Sequence, residues 1–384
     1  MALSFGRVVG ALRRRAKLLG VSLRYKPGKL PVNHNLVLFE SFQGDVIADS
    51  PLDIYKTLRA KHPEFEFVWS VKARSQTIEG ARSVIWGSAE WLHALATAKY
   101  LVNNANFPYF FKKATGQVYL QTWHGTPLKR LGRDIPGVVA TVGYQATMER
   151  EAGQWDYLIA PNQFFAEVFP PAFNHHGKVL LSGYPRNDRL VKTSSAERKA
   201  IRSQLGVSDG EKLVMYAPTW RDYEVTAGGE WNAVNYLDAG LRLPDGYRLM
   251  FRGHHNTLGA HDSKVAGGAI DATDYPDIVD LCIAADVLIT DYSSVMFDYT
   301  VTGKPVLFFA PDLERYRSER GFYLDYEAEV PGPILRTSEE VVHALADLDS
   351  VVAAHSARYQ AWRDKYDSLE DGSAAARVVS EVWG

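Results

Sequence analysis

The feature that most constrains this chain is a rhythm. Short aliphatic, β-branched and aromatic runs alternate with longer stretches of helical spacing, first over residues 35–183 and again over 212–309. In the first part the predicted strands are 35–40 (NLVLFE), 66–71 (EFVWSV), 83–87 (SVIWG), 99–104 (KYLVNN), 117–122 (QVYLQT), 156–160 (DYLIA) and 178–183 (KVLLSG). In the second they are 212–218 (KLVMYAP), 247–253 (YRLMFRG), 267–272 (GGAIDA), 286–290 (DVLIT) and 305–309 (PVLFF). Helical stretches at 51–61, 88–97, 274–285 and 294–302 lie between them, and the tail from about 338 reads as helix. Strands joined through helices pair in parallel, because a parallel crossover needs a dozen or more residues. Between the two parts, GYPRNDRLVKTSSAERK breaks the pattern with Gly, Pro, Asn and Ser.

A chain of 384 residues exceeds one ordinary core and suits two domains. The expected fold class is therefore α/β, with two Rossmann-like doubly wound domains and a cleft between them, the GT-B architecture. The boundaries are 31–190 and 191–384, and the last helix could pack back on the first domain. The stretch 226–232 (TAGGEWN) reads as a loop between units. No apolar run reaches the roughly 18 residues that span a bilayer. The single cysteine, Cys282, lies in an apolar run; it can form no internal disulfide and reads as a small buried hydrophobe of a reducing compartment.

Charge is unevenly placed. The first 30 residues carry Arg7, Arg13, Arg14, Arg15, Lys17, Arg24, Lys26 and Lys29, and no carboxylate occurs before Glu40. Phe5, Val8, Val9, Leu12, Ala16, Leu19 and Leu23 recur at helical spacing. A basic amphipathic helix of this kind reads as an element for an anionic membrane surface. Charges interrupt every candidate apolar core, so it does not read as a signal peptide. Basic residues are not interleaved with aromatics over the rest of the chain, which argues against nucleic acid.

In open parallel sheets ligands bind beyond the carboxyl ends of the strands. Polar clusters fall there repeatedly: WHGTP after the strand ending at Thr122, APTWRD after the strand near Tyr216, RGHHN after YRLMF, and TDYSS after DVLI. Asp291, Ser293 and Ser294 suit the start of a helix running on through Met296 and Phe297, where unpaired N–H groups and hydroxyls can hold a diphosphate. Arg252 and His254 stand at the rim of the same sheet as phosphate-binding candidates, with His255 the less certain histidine. His124, in the loop leaving a strand, is a candidate general base. His175 and His176 lack polar neighbours and read as non-functional. No metal-binding pattern is present, and the one Asp-x-Asp, at 347–349, falls in a surface helix. Dinucleotide and P-loop fingerprints are also missing, so no cofactor is expected.

Taken together, WHGTPLKRLG, APTWRD, GYPRND, RGHH, ITDYSSVMFDY and GKPVLFFAPDLERYRSERGFY resemble the CDP-glycerol glycerophosphotransferase family, the primases and polymerases of teichoic acid and capsule polymers. The resemblance runs from about Phe39 to the 330s. It implies a bacterial enzyme at the cytoplasmic face of the membrane that moves an alditol phosphate from a CDP-activated donor to a lipid-linked acceptor and releases CMP. The first domain would take the acceptor and the second the CDP donor. The resemblance places His124 as base and His254 on the donor pyrophosphate, both catalytic. It assigns substrate binding to Gly125, Thr126, Lys129, Thr219, Trp220, Arg221, Arg252, Asp291, Ser293, Ser294 and Asp298. His255 departs from the proline expected after the Arg-x-His motif. Glycerol and ribitol donors, and primase and polymerase roles, stay open at this stage. So do a GT-B glycosyltransferase using a nucleotide sugar and a non-catalytic polymer-binding membrane protein. Exposed aromatics would support a homo-oligomer.

Overall fold

The structure, a computed structural model, describes residues 19–136, 142–219, 221, 237, 242–253 and 268–384. Trp220, His254, His255, the stretch 226–232 and the first 18 residues lie outside the described residues. Two parallel sheets carry the fold. The first comprises β1 (Asn33–Glu40), β2 (Glu66–Val71), β3 (Arg82–Ile85), β4 (Ala98–Asn103), β5 (Val118–Gln121), β6 (Tyr157–Ala160) and β7 (Lys178–Leu181), in the order β3-β2-β1-β4-β5-β6-β7. The second comprises β8 (Lys212–Ala217), β9 (Tyr247–Phe251), β10 (Ile270–Asp271), β11 (Val287–Thr290), β12 (Val306–Phe309) and β13 (Ile334–Leu335), in the order β10-β9-β8-β11-β12-β13.

Each order reverses direction once, between β1 and β4 in one sheet and between β8 and β11 in the other. At such a reversal the flanking crossovers leave to opposite faces and open a crevice at the carboxyl ends. The strands are buried on both sides, which is why they read as continuous apolar runs rather than as alternating ones. In the first sheet, Leu38, Leu101 and Tyr119 face a core with the helices Ala89–Thr97 and Gln163–Phe173. On the opposite face, Val37, Phe39 and Val102 meet Ile54 and Leu58 of the helix Asp49–Lys61.

Val378, Val379 and Trp383 of the C-terminal helix Ala374–Trp383 join that second face. The preceding helix, Leu348–Tyr366, buries Trp362 and Tyr366 in the core of the second domain instead. The chain thus crosses back to the first domain at 367–373. Arg377 fixes the return by donating to the carbonyls of Ser182 and Leu369, and Asp188 accepts from the N–H groups of Ala374 and Ala375. β13, only two residues long, is too short for any periodicity to show in sequence.

Residues 19–24 are helical. Val21 and Tyr25 pack into the first core, and the Tyr25 hydroxyl donates to the carbonyl of Lys112. Leu19 and Leu23, at 55% and 69% exposure, point away from it. No helix among the described residues is long and apolar enough to cross a membrane.

The seating of the C-terminal helix is testable. Val378 is fully buried. Val378→Asp puts an unpaired charge against the first sheet and is expected to lower the unfolding free energy by about 3–5 kcal/mol. Urea denaturation followed by circular dichroism checks this.

Candidate active site

Both crevices are stitched by side chains at the reversal points. In the first domain, Asn104, just past β4, accepts the N–H of Phe42, just past β1, on its Oδ1 at 2.8 Å. In the second, Asp291, just past β11, accepts the N–H of Thr219, just past β8, at 2.7 Å. These bonds fix loops whose chain separations are large, so the crevices are set by tertiary contact rather than by local propensity.

His124 sits at the mouth of the first crevice. Two residues earlier the chain leaves β5, and Trp123 takes a left-handed backbone with φ 53°. Its indole packs edge-on against Phe169 at 4.7 Å and near Phe173, while the Trp123 backbone N–H donates to Oε1 of Gln121. With the indole anchored in the core, the backbone must turn back sharply, which projects His124 over the carboxyl end of the sheet. The imidazole stacks on Trp123 at 4.5 Å and lies 5.7 Å from Phe42.

The bond to the Asn104 carbonyl, 2.6 Å from Nδ1, settles the proton. A carbonyl only accepts, so Nδ1 carries hydrogen and Nε2 keeps its lone pair. His124 is an exposed residue, but its ring packs on Trp123 and near Phe42, which takes part of it out of water. This desolvation holds its pKa below the ordinary histidine value, opposed by the Asn104 bond and by Asp49, and assisted by Arg186. A neutral imidazole with a free Nε2 is the form a general base requires.

Five non-glycine residues among those described have φ between 42° and 66°; Phe42 and Trp123 touch this imidazole, Asp49 acts on it electrostatically, and Gln43 adjoins Phe42 in the chain. Each such conformation costs of order 1–3 kcal/mol and persists only where surrounding contacts impose it. Such strain collects at working sites.

Across the cleft, Ser293 and Ser294 precede the six-residue helix Val295–Thr300. Ser293 Oγ accepts weakly from the Val295 N–H at 3.4 Å. The two domains meet at this point. A Cβ placed on Gly125 would lie 2.6 Å from Ser294 Oγ and 3.0 Å from its Cβ, so only glycine permits the approach. The His-Gly turn and the Ser-Ser turn are therefore in van der Waals contact.

Other predicted residues fall into two groups. Thr126 is buried behind His124, and Lys129 bridges to Phe322 with its ammonium 5.9 Å over Tyr316, tying the domains together. Thr219 lies at the second crevice with its hydroxyl oxygen buried and without a partner. Arg252 Nη1 donates to the carbonyls of Ala272, Thr273 and Tyr275, so it braces the loop after β10.

Three of the predicted substrate-binding residues are buried in ion pairs. Arg221 is only 2% exposed: it pairs with Asp291 and Asp312 and lies over the rings of Tyr292 and Tyr316. Its donors are spent on the protein, and it frames the second crevice. Asp291 is likewise buried against Arg221 and accepts from Thr219 and Tyr292 instead of capping the following helix. Asp298 is buried in a pair with Arg186 at 2.7 Å. Cys282 is buried and free, and His175 is buried with Nδ1 bonded to the carbonyl of Ala152.

Sequence reasoning missed Asn104, Asp49, Tyr184 and Arg186. Arg186 Nη1 reaches Asp49 at 2.8 Å and the His124 carbonyl at 3.1 Å, while Nη2 reaches Asp298. The sequence signal for Tyr184 and Arg186 was GYPRND, read as a break between domains and as one of the motifs of the resemblance, with no role given to either residue.

Residues 26–384 match the family described as CDP-Glycerol:Poly(glycerophosphate) glycerophosphotransferase. The chain belongs to that family. It is 38% identical over 375 residues to the teichoic acid poly(glycerol phosphate) polymerase of Bacillus subtilis (strain 168), covering 94% of this chain but 50% of that protein. It thus spans about half the length of that relative. It is also 38% identical to the teichoic acid glycerol-phosphate transferase of Staphylococcus aureus (strain NCTC 8325 / PS 47), covering 92% of this chain and 94% of the other. The solved structure of the wall teichoic acid polymerase TagF superposes with a TM-score of 0.87 at 35% identity, over 98% of this chain and 95% of that one. The family membership and this superposition agree with the two-sheet fold and with the expected class.

The tautomer and partial desolvation of His124 give a direct expectation. In histidine-labelled protein, its ring titrates with a midpoint below the ordinary histidine value. Asp49 raises that midpoint, so Asp49→Asn, which keeps a side chain tolerant of the left-handed backbone, moves it lower still. NMR titration checks both, with His124→Ala assigning the resonance.

Proposed function

We propose that this protein transfers glycerol phosphate from CDP-glycerol to a hydroxyl of a lipid-linked acceptor or growing polymer and releases CMP. One observation carries the reading: the contact of the His124–Gly125 turn with Ser294, which puts a desolvated base beside the phosphate-binding turn of the other domain. Glycerol is preferred as the polyol because both curated relatives are named for glycerol phosphate.

In the reaction, the acceptor oxygen attacks the phosphorus that bears glycerol. Its proton passes to Nε2 of His124, and the bond from that phosphorus to the bridging oxygen breaks, so the electron pair leaves with CMP. An alcohol has a pKa near that of water, so a positioned base is needed as the new bond forms. The transition state spreads charge over the phosphoryl oxygens, and catalysis rests on positioning and electrostatic stabilisation. Ser293, Ser294 and the N–H groups that follow them supply neutral donors, and Thr219, with its unpartnered hydroxyl, faces the same crevice. His254 and Trp220 are proposed on the donor side from the family resemblance alone. Asn104 fixes the tautomer of the base.

The acceptor is lipid-linked in this reading, and the protein works at the cytoplasmic face of the membrane. The exposure of Leu19 and Leu23, while Val21 and Tyr25 bind the body, supports a first segment that lays its apolar stripe on an anionic surface. Binding to phosphatidylglycerol vesicles is therefore expected to exceed binding to phosphatidylcholine vesicles and to weaken in salt; Leu19→Ser/Leu23→Ser weakens both. Sedimentation measures it.

The catalytic test is CMP release from CDP-glycerol and from CDP-ribitol, each with a lipid-linked disaccharide. Acceptor-dependent CMP from CDP-glycerol that falls by about 10²–10⁴-fold in His124→Ala is the expected result. Its lower pH limb follows the His124 midpoint, so activity is retained at neutral pH and lost as pH falls through that value. Release of a nucleoside diphosphate from a nucleotide sugar, with no CMP, points to glycosyl transfer instead.

A further inference from the structure

We propose that Tyr184 and Arg186 are positioning residues that grip the single peptide unit between His124 and Gly125 and thereby set the base against the serine turn of the opposite domain. The peptide has two polar ends, and both are held. Its N–H, on Gly125, donates to the Tyr184 hydroxyl at 3.2 Å. Its C=O, on His124, accepts from Arg186 Nη1 at 3.1 Å.

The two gripping side chains hold each other. The Arg186 guanidinium lies 4.9 Å over the Tyr184 ring, and the chain between them is fixed by a short 3₁₀ turn, Pro185–Asn187. The Tyr184 N–H is anchored on Glu370, in the segment that crosses between the domains. Both side chains are buried, Arg186 at 3% exposure.

Arg186 also spans the two halves of the site. One Nη holds Asp49, whose left-handed residue opens the helix after β1, and the other holds Asp298, on the helix that starts at Ser294. A fork of fixed geometry that touches the base's own backbone, the first crevice and the serine helix converts domain placement into base placement. Lysine cannot do this, since one ammonium lacks the planar fork that serves two carboxylates and a carbonyl together. A base misplaced by about 1 Å loses on the order of 10²-fold in rate, so a peptide clamp of this kind acts on turnover rather than on donor binding.

The inference rests on reading His124 as the base, so its test has an arm that does not need turnover. Tyr184→Phe removes one oxygen and keeps the packing; Arg186→Lys keeps the charge and removes the fork. NMR titration of His124 is followed in both variants and in the wild type. Release of the turn lets the ring relax into solvent, so its midpoint is expected to rise toward the ordinary histidine value in both variants. In the CMP assay, kcat is expected to fall about tenfold or more in Tyr184→Phe, further in Arg186→Lys, with the donor KM within about twofold of wild type. The lower pH limb moves up with the NMR midpoint. A merely structural role would lower the melting temperature and leave the His124 midpoint in place.

Tyr184→Phe with unchanged His124 titration overturns the proposal, whatever its stability. So does a variant whose KM rises while kcat and the pH limb stay fixed. If the wild type releases no CMP, the phosphotransfer reading fails by itself, and the His124 titration alone decides whether the clamp exists.

Discussion

A guanidinium buried between two domains sets the terms for the rest of this structure. Moving a charge out of water costs several kcal/mol, and Arg186 recovers that cost through Asp49, Asp298 and the His124 carbonyl. The recovery is conditional. Removing one carboxylate leaves the guanidinium with a single ionic partner, and only loss of both leaves an uncompensated buried charge, worth about 3–5 kcal/mol against folding. The two domains are therefore not free to choose their relation independently of the His124 turn, because the same guanidinium that is satisfied by the two carboxylates also holds the His124 carbonyl.

The donor side repeats the logic with different residues. Arg221 is buried with Asp291 and Asp312 and sits over Tyr292 and Tyr316, and Asp291 in turn holds the Thr219 N–H and the Tyr326 hydroxyl. Each crevice is thus framed by an arginine whose hydrogen bonds are spent inside the protein. The Ser294 hydroxyl, with Ser293 next to it in the chain, lies beside the His124–Gly125 turn at the opening between the two crevices. Burying Arg221 and Arg186 in carboxylate pairs keeps their positive charge close to the cleft while fixing the geometry around it, which favours a pre-organised site over a mobile one.

The sheets were legible because their signal is local. Residues buried on both faces must be apolar at every position, so twelve strand segments stand out as runs, and a two-residue edge such as Ile334–Leu335 does not. His124, Ser293 and Ser294 were legible because a chemically capable side chain directly after a buried strand falls at a carboxyl end in any parallel sheet. Arg186 was not. Its partners lie 137, 62 and 112 residues away, and nothing in GYPRND distinguishes a linker arginine from one that is folded inward. Arg221 is the converse case: a loop arginine after a strand reads from sequence as a ligand group, and its burial against Asp291 and Asp312 depends on partners far along the chain.

The same distinction explains why the strain sits where it does. Trp123 cannot both bury its indole against Phe169 and keep an ordinary backbone, and Phe42 cannot both donate to Asn104 and continue β1. The left-handed conformations of Phe42, Asp49 and Trp123 each accompany a contact made far along the chain, to Asn104, Arg186 and Phe169. Local propensity opposes every one of them. A site whose backbone is locally unfavourable at four positions can hold its shape only while the framing contacts hold theirs, so Asn104, Tyr184 and Arg186 are as much part of its chemistry as the imidazole they place.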